Sequence, residues 1–175
     1  NVETIISIYN AVVKGIPSME RVVTVTGDGV VNPGNYKVLF GTNQNELIEA
    51  AGGLKEGCEK VISGGPMMGF AMYTTDTPIT KTSSSILCMS KDEVSACEPT
   101  ACINCGRCVD ACPSRIIPSR LADFAERHDE EAFLKFHGLE CVECGSCSYV
   151  CPAKRQLKQA IGSMRKTALA NKKKK

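Results

Sequence analysis

The chain has no tryptophan, five phenylalanines, four tyrosines and two histidines in 175 residues. No window approaches eighteen uninterrupted apolar residues, which excludes a membrane-crossing helix. The opening "NVETIISIYNAVV" has no charged leader before its apolar residues, so no secretory signal is expected. It also lacks an initiator methionine and reads as mid-sequence, as though a longer polypeptide preceded it. Nucleotide fingerprints are missing too. Gly27-Asp28-Gly29 starts a G-x-G, but Asn32 stands where the third glycine belongs, and "SGGPMMGF" (63–70) lacks the Lys-Ser/Thr of a phosphate loop. No nucleophile–base arrangement is visible. A two-electron reaction would therefore need a flavin or nicotinamide site elsewhere.

Negative charge is absent from one end. Residues 152–175 hold nine Lys or Arg and no Asp or Glu, while the rest of the chain is net acidic. Positive charge confined to one end, with no recognised nucleic-acid fold, argues against nucleic acid as a partner.

Cysteine, by contrast, is abundant: eleven residues, an odd number. In a chain with no export signal, that favours metal ligation over oxidised pairs. Eight of them form two copies of C-x2-C-x2-C-x3-C-P, "CINCGRCVDACP" from Cys102 and "CVECGSCSYVCP" from Cys141. Three thiolates two residues apart can wrap one polynuclear cluster. The fourth, a helical turn further on, points away and in two-cluster ferredoxins serves the other cluster. The expectation is two [4Fe–4S] clusters, one on Cys102, Cys105, Cys108 and Cys151, the other on Cys141, Cys144, Cys147 and Cys112.

The alternatives fit less well. Structural zinc prefers two separated C-x2-C pairs, and a third nearby cysteine has no use. Disulfides between such close neighbours would be strained. Cys97, Cys102 and Cys105 also match a [2Fe–2S] spacing, but that reading leaves Cys108 and Cys112 idle. Gly106 and Gly145 suit either close backbone approach to a cluster or ordinary turns. Cys58, Cys88 and Cys97 are expected to be small buried hydrophobes. His128 and His137 have no evident ligand partners.

Periodicity places a helix over 2–13 and strands at 21–27, 35–41, 59–65 and 83–90. Asn32-Pro33-Gly34 suggests a type II turn with Gly34 at positive φ. "TNQNELIEAAGG" reads as a helix capped by Thr42 or Asn43 and stopped by Gly52-Gly53. Met67 and Met68 are expected to pack inward from a tight turn, with a cofactor-facing loop as the other option. Beyond residue 90, Leu121, Phe124, Ala125, His128, Ala132 and Phe136 share a helical face, with Ser119 as N-cap and a break near His128. Leu157, Ala160, Ile161, Met164 and Ala168 do the same before a tail expected to fray over 170–175. The fold class expected is α+β: a β-grasp module followed by an α-helical dicluster ferredoxin-like domain.

"ERVVTVTGDGVVNPGN", "AAGGL", "ISGGPMMGFAM" and "CVECGSCSYVCPAKRQL", with the first cysteine loop, resemble the RnfC family, the C subunits of the Rnf ion-translocating ferredoxin:NAD oxidoreductases. The resemblance implies a soluble-ligand-binding β-grasp domain at 21–90, a dicluster domain at 91–160 and a basic tail at 161–175. Residues 1–20 would be the last helix and linker of a preceding domain that binds FMN and NADH. The resemblance further implies an electron-relay segment in a complex that couples electron flow to Na+ or H+ translocation, peripheral on the cytoplasmic face of the membrane. The partners it implies are the other subunits, a ferredoxin-type subunit among them. The basic end suggests an anionic membrane surface as a further partner. A soluble cobalamin reductase with the same domain order, and a zinc-stabilised interaction module, remain as alternatives.

Overall fold

The structure is a computed structural model that describes residues 2–94 and 96–174. Residues 1 and 175, at the two ends of the expected domains, lie outside the described residues. The chain divides into two units, Asn1–Asp92 and Glu93–Lys175.

In the first unit, β-branched alternation builds a five-stranded mixed sheet. Helix α1 (Val2–Lys14) precedes β1 (Glu20–Thr26), β2 (Gly34–Leu39), α2 (Gln44–Ala50), β3 (Lys60–Ser63), β4 (Phe70–Met72) and β5 (Ser85–Met89). The spatial order is β2-β1-β5-β3-β4. β1 pairs antiparallel with β2 from Glu20↔Leu39 to Val25↔Gly34, and parallel with β5 at Thr24↔Ser85. β3 is antiparallel to both β5 and β4. Val23 and Val25 of β1, Ile86 and Cys88 of β5, and Leu47 and Ile48 of α2 close one core. A large apolar side chain of this kind contributes about 1.5–3 kcal/mol on full burial. Asn43 caps α2 by accepting from Asn45 N–H at 2.9 Å. Gly52 and Gly53 both have positive φ at its end. Asp28 is a local brace rather than part of a nucleotide loop: its carboxylate accepts from Ser90 N–H at 2.9 Å and from the Ser90 hydroxyl.

Several expectations are overturned in this unit. Gly34 is the first residue of β2 and has no positive φ, so no type II turn forms on it. Met67 and Met68, on the turn before β4, are exposed rather than packed inward. That strand has only three residues, too few for an alternation to register. Cys88 is fully buried as expected; Cys58 is half-buried. Helix α1 buries none of its residues, and its apolar face, Ile5 and Val12 included, is exposed.

The second unit is helical. Helices α3 (Arg107–Asp110), α4 (Pro118–Glu126), α5 (Glu130–Lys135), a 3₁₀ turn (Gly138–Glu140), α6 (Ser146–Tyr149) and α7 (Leu157–Lys174) follow in order. Leu121, Ala122 and Ala125 of α4 meet Phe133 and the Leu157, Ile161 and Met164 stripe of α7. Phe124 and Phe136 add an aromatic pair with centroids 5.0 Å apart.

Ser119 is not the N-cap of α4. Ile117 occupies that position without a side-chain bond, and Pro118 starts the first turn, where its missing N–H costs nothing. His128 leaves the shared face altogether: it is exposed at φ 56° and separates α4 from α5, which Asp129 caps. Cys97 is exposed rather than buried, and its Sγ lies 3.4 Å from the Glu93 carbonyl oxygen. Fraying from residue 170 is also overturned, since α7 runs through Lys174.

Candidate metal centre

The two cysteine loops repeat in backbone as well as in sequence, at an offset of 39 residues. Asn104 and Glu143 both have φ 54°, Gly106 and Gly145 have 78° and 83°, and Arg115 and Lys154 have 53° and 54°. A non-glycine residue in the left-handed region costs about 1 kcal/mol or more, so the two matched non-glycine pairs mark an imposed curl rather than chance. Each loop then enters a four-residue helix directly after its glycine, α3 in one copy and α6 in the other. Gly106 lines the first of the cavities described below, and its φ of 78° lies where a side chain is disfavoured.

This curl gathers thiols around two cavities. One, of about 110 Å³, is lined by Cys102, Cys105, Cys108 and Cys151, with Ile103, Ala153, Arg155 and Leu157. The other, of about 20 Å³, is lined by Cys112, Cys141, Cys144 and Cys147, with Ile116, Lys158 and Ile161. Each wall thus takes three cysteines from one loop and the last cysteine of the other. Among the described residues, no three His, Cys, Asp or Glu side chains converge closely enough to hold a single metal ion. The thiols border a volume instead. Four cysteines in each wall fit the all-thiolate donor set of an iron–sulfur cluster.

Surroundings differ between the copies. Cys102 and Cys105 are exposed, whereas Cys141 and Cys144 are half-buried and Cys147 is buried. Burial pushes the Cys147 thiol up to about 11 and also raises Cys141, while a hydrogen bond with the Ser146 hydroxyl, 3.5 Å away, lowers Cys144. Metal binding must displace protons from such thiols, so ligation here is coupled to pH. Glu143 N–H donates to Cys141 Sγ at 3.4 Å. Arg165 of α7 donates from Nε to the Leu139 carbonyl and pairs through Nη1 with Glu143, both at 3.1 Å. Beside the first cavity Arg155 is paired with Asp123 at 2.8 Å and Glu126 at 2.9 Å. Neither arginine stands out in the sequence, where both sit in a basic run that gives no hint of specific carboxylate partners.

Ser63, Gly64 and Phe70 of the glycine-rich segment line a separate cavity of about 400 Å³ in the first unit, which has no cysteine, histidine or charged side chain in its wall. His137 pairs with Glu140 at 3.4 Å and lines none of these cavities.

Comparison with known proteins agrees with this division. Residues 22–71 match the SLBB domain family and residues 101–155 match the 4Fe-4S dicluster domain family. The chain is 48% identical over 162 residues to the C subunit of the proton-translocating ferredoxin:NAD(+) oxidoreductase complex of Clostridium ljungdahlii, covering 92% of this chain and 35% of that protein. It is 38% identical over 174 residues to the Na(+)-translocating counterpart of Acetobacterium woodii, 99% of this chain and 39% of that one. The C subunit of the ion-translocating oxidoreductase complex of Yersinia enterocolitica is 41% identical over 132 residues, 75% of this chain and 19% of the relative. The chain therefore spans well under half the length of these relatives.

Proposed function

We propose, from the premise that this chain is homologous to the C subunits of ion-translocating ferredoxin:NAD(+) oxidoreductase complexes, that it is their electron-relay segment. Its second unit holds two [4Fe–4S] clusters. Cys102, Cys105, Cys108 and Cys151 ligate the first, and Cys141, Cys144, Cys147 and Cys112 the second. The observation that carries this reading is the exchange of the fourth cysteine between the two cavity walls. Bound clusters supply one-electron transfer, and the protein's part is to hold them close together, shield the second and leave the first near solvent.

The first unit is a β-grasp module over 21–90 that serves as a spacer and docking surface. Supporting this are its central parallel β1–β5 pair and the single helix between β2 and β3. Residues 1–20 end a preceding domain that binds FMN and NADH; the exposed apolar face of α1 is consistent with a surface made to be covered. The dicluster domain occupies 91–160. The basic stretch 161–175 lies against other subunits or an anionic membrane surface on the cytoplasmic face, and a ferredoxin-type subunit exchanges electrons with the relay. No helix among the described residues is long and apolar enough to cross a membrane. The relatives' names differ in the ion translocated, so either Na+ or H+ is the coupled ion.

Anaerobic purification with metal and sulfide analysis tests the relay directly. The expected result is about eight irons and about eight acid-labile sulfides per chain. A colourless protein with two zinc ions and no labile sulfide would end this reading.

A further inference from the structure

At one matched position the second ligand loop carries a charge where the first is neutral. At the left-handed position before the second cysteine of each loop, the first copy has neutral Asn104 and the second has Glu143. Glu143 works in two directions. Its backbone N–H donates to Cys141 Sγ at 3.4 Å, while its carboxylate reaches Arg165 on α7 at 3.1 Å. A Cβ at Gly162, one turn before Arg165, would lie 3.1 Å from Glu143 Oε2, so the helix leaves room there for the carboxylate. Arg165 also holds the Leu139 carbonyl, so one guanidinium grips the chain on both sides of Cys141. The two side chains are mostly buried, at 31% and 23% exposure, and Glu143 itself lines the second cavity.

We infer that the Glu143–Arg165 pair sets the reduction potential of the second cluster, with Arg165 as a positioning residue that both fixes the loop and neutralises its carboxylate. The inference rests on the ligand assignment proposed above. Reduction of a [4Fe–4S] cluster adds one electron, makes or breaks no bond and needs no proton. The added negative charge is opposed by a nearby anion and favoured by a nearby cation. A half-buried pair is weakly screened by salt, and removal of one member leaves the other uncompensated. Arg165→Gln therefore exposes the cluster to a bare carboxylate and lowers its potential. Glu143→Gln exposes it to a bare guanidinium and raises it. The double variant returns towards the wild type. A merely structural pair would not give shifts of opposite sign.

The test is a redox titration of the full chain, loaded with its clusters anaerobically, reduced with dithionite and followed by EPR. Cys105→Ser and Cys144→Ser first assign each reduction step to its loop. The expected result is opposite displacement of the second step in Arg165→Gln and Glu143→Gln, with the first step unmoved in both. Displacement in the same direction, or none at unchanged iron content, overturns the inference and leaves the ligand assignment standing. Where Arg165→Gln loses the second cluster outright, the double variant decides: recovered iron supports the charge pair, and continued loss overturns it. Wild-type protein that loads only one cluster overturns the ligand assignment, and this inference with it.

Discussion

The two cysteine loops carry the same left-handed positions and the same short helix after the glycine, yet one lies open and the other is braced. The first presents Cys102 and Cys105 to solvent. The second packs among α7 and the 3₁₀ turn, buries Cys147 and is gripped by Arg165. The repeat fixes how thiols are presented, and the packing around each copy decides how protected they are. On the proposed relay, the open loop is the one a partner can reach more readily.

The strongest way to break this comparison is to cut the exchange that joins the halves. On the proposed ligand assignment, Cys112→Ser, though located in the first loop, removes the second cluster's EPR signal and about half the iron. Loss of the first loop's cluster instead would mean that each quartet closes on itself, and the two loops would be independent sites.

Next in size is a steric change confined to the braced copy. Gly138 opens the 3₁₀ turn that leads into Cys141, and a Cβ there would sit 2.3 Å from the Phe133 ring. Since Phe133 is fully buried, it has nowhere to retreat. Gly138→Ala is expected to cost about 1–3 kcal/mol in chemical denaturation and to lower occupancy of the second cluster only. Equal losses in both loops would show that bracing is shared rather than local.

Accessibility gives the third test. With excess chelator under anaerobic conditions, the first cluster should disappear several-fold faster than the second, read as separate EPR signals, because Cys102 and Cys105 are exposed and the first cavity is the larger. Matching rates would remove the functional meaning of the difference in burial.

The repeat itself is legible in the sequence because it depends on a fixed offset and a residue type with few other uses. The helix at 42–53 and the α7 stripe are legible for similar local reasons: a capping asparagine and a 3.6-residue period. What escapes is decided at a distance. Phe133 lies outside the apolar face read for its segment, because His128 turns the chain and gives α5 its own orientation. The bracing by Arg165 depends on a carboxylate 22 residues away. Proline explains the displaced cap: Pro118 supplies the first-turn geometry that Ser119 is expected to prepare. Hydropathy alone puts Met67 and Met68 inside, and it cannot tell a turn packed inward from one left exposed.

The smallest expected effect isolates the brace from the curl. Asn104 and Glu143 share the same strained φ, and glycine relieves that strain in either. Asparagine tolerates the left-handed region comparatively well, so Asn104→Gly should change stability by no more than about 0.5 kcal/mol. Glu143→Gly gains about 1 kcal/mol from the relief but also removes the partner of a largely buried arginine, which costs about 2–3 kcal/mol. The second substitution should therefore be the more destabilising of the two in urea titration of the cluster-loaded chain, despite starting from the less favourable residue. Were Glu143→Gly instead the more stable variant, the Arg165 contact would contribute nothing to the second loop, and the two copies would differ in burial alone.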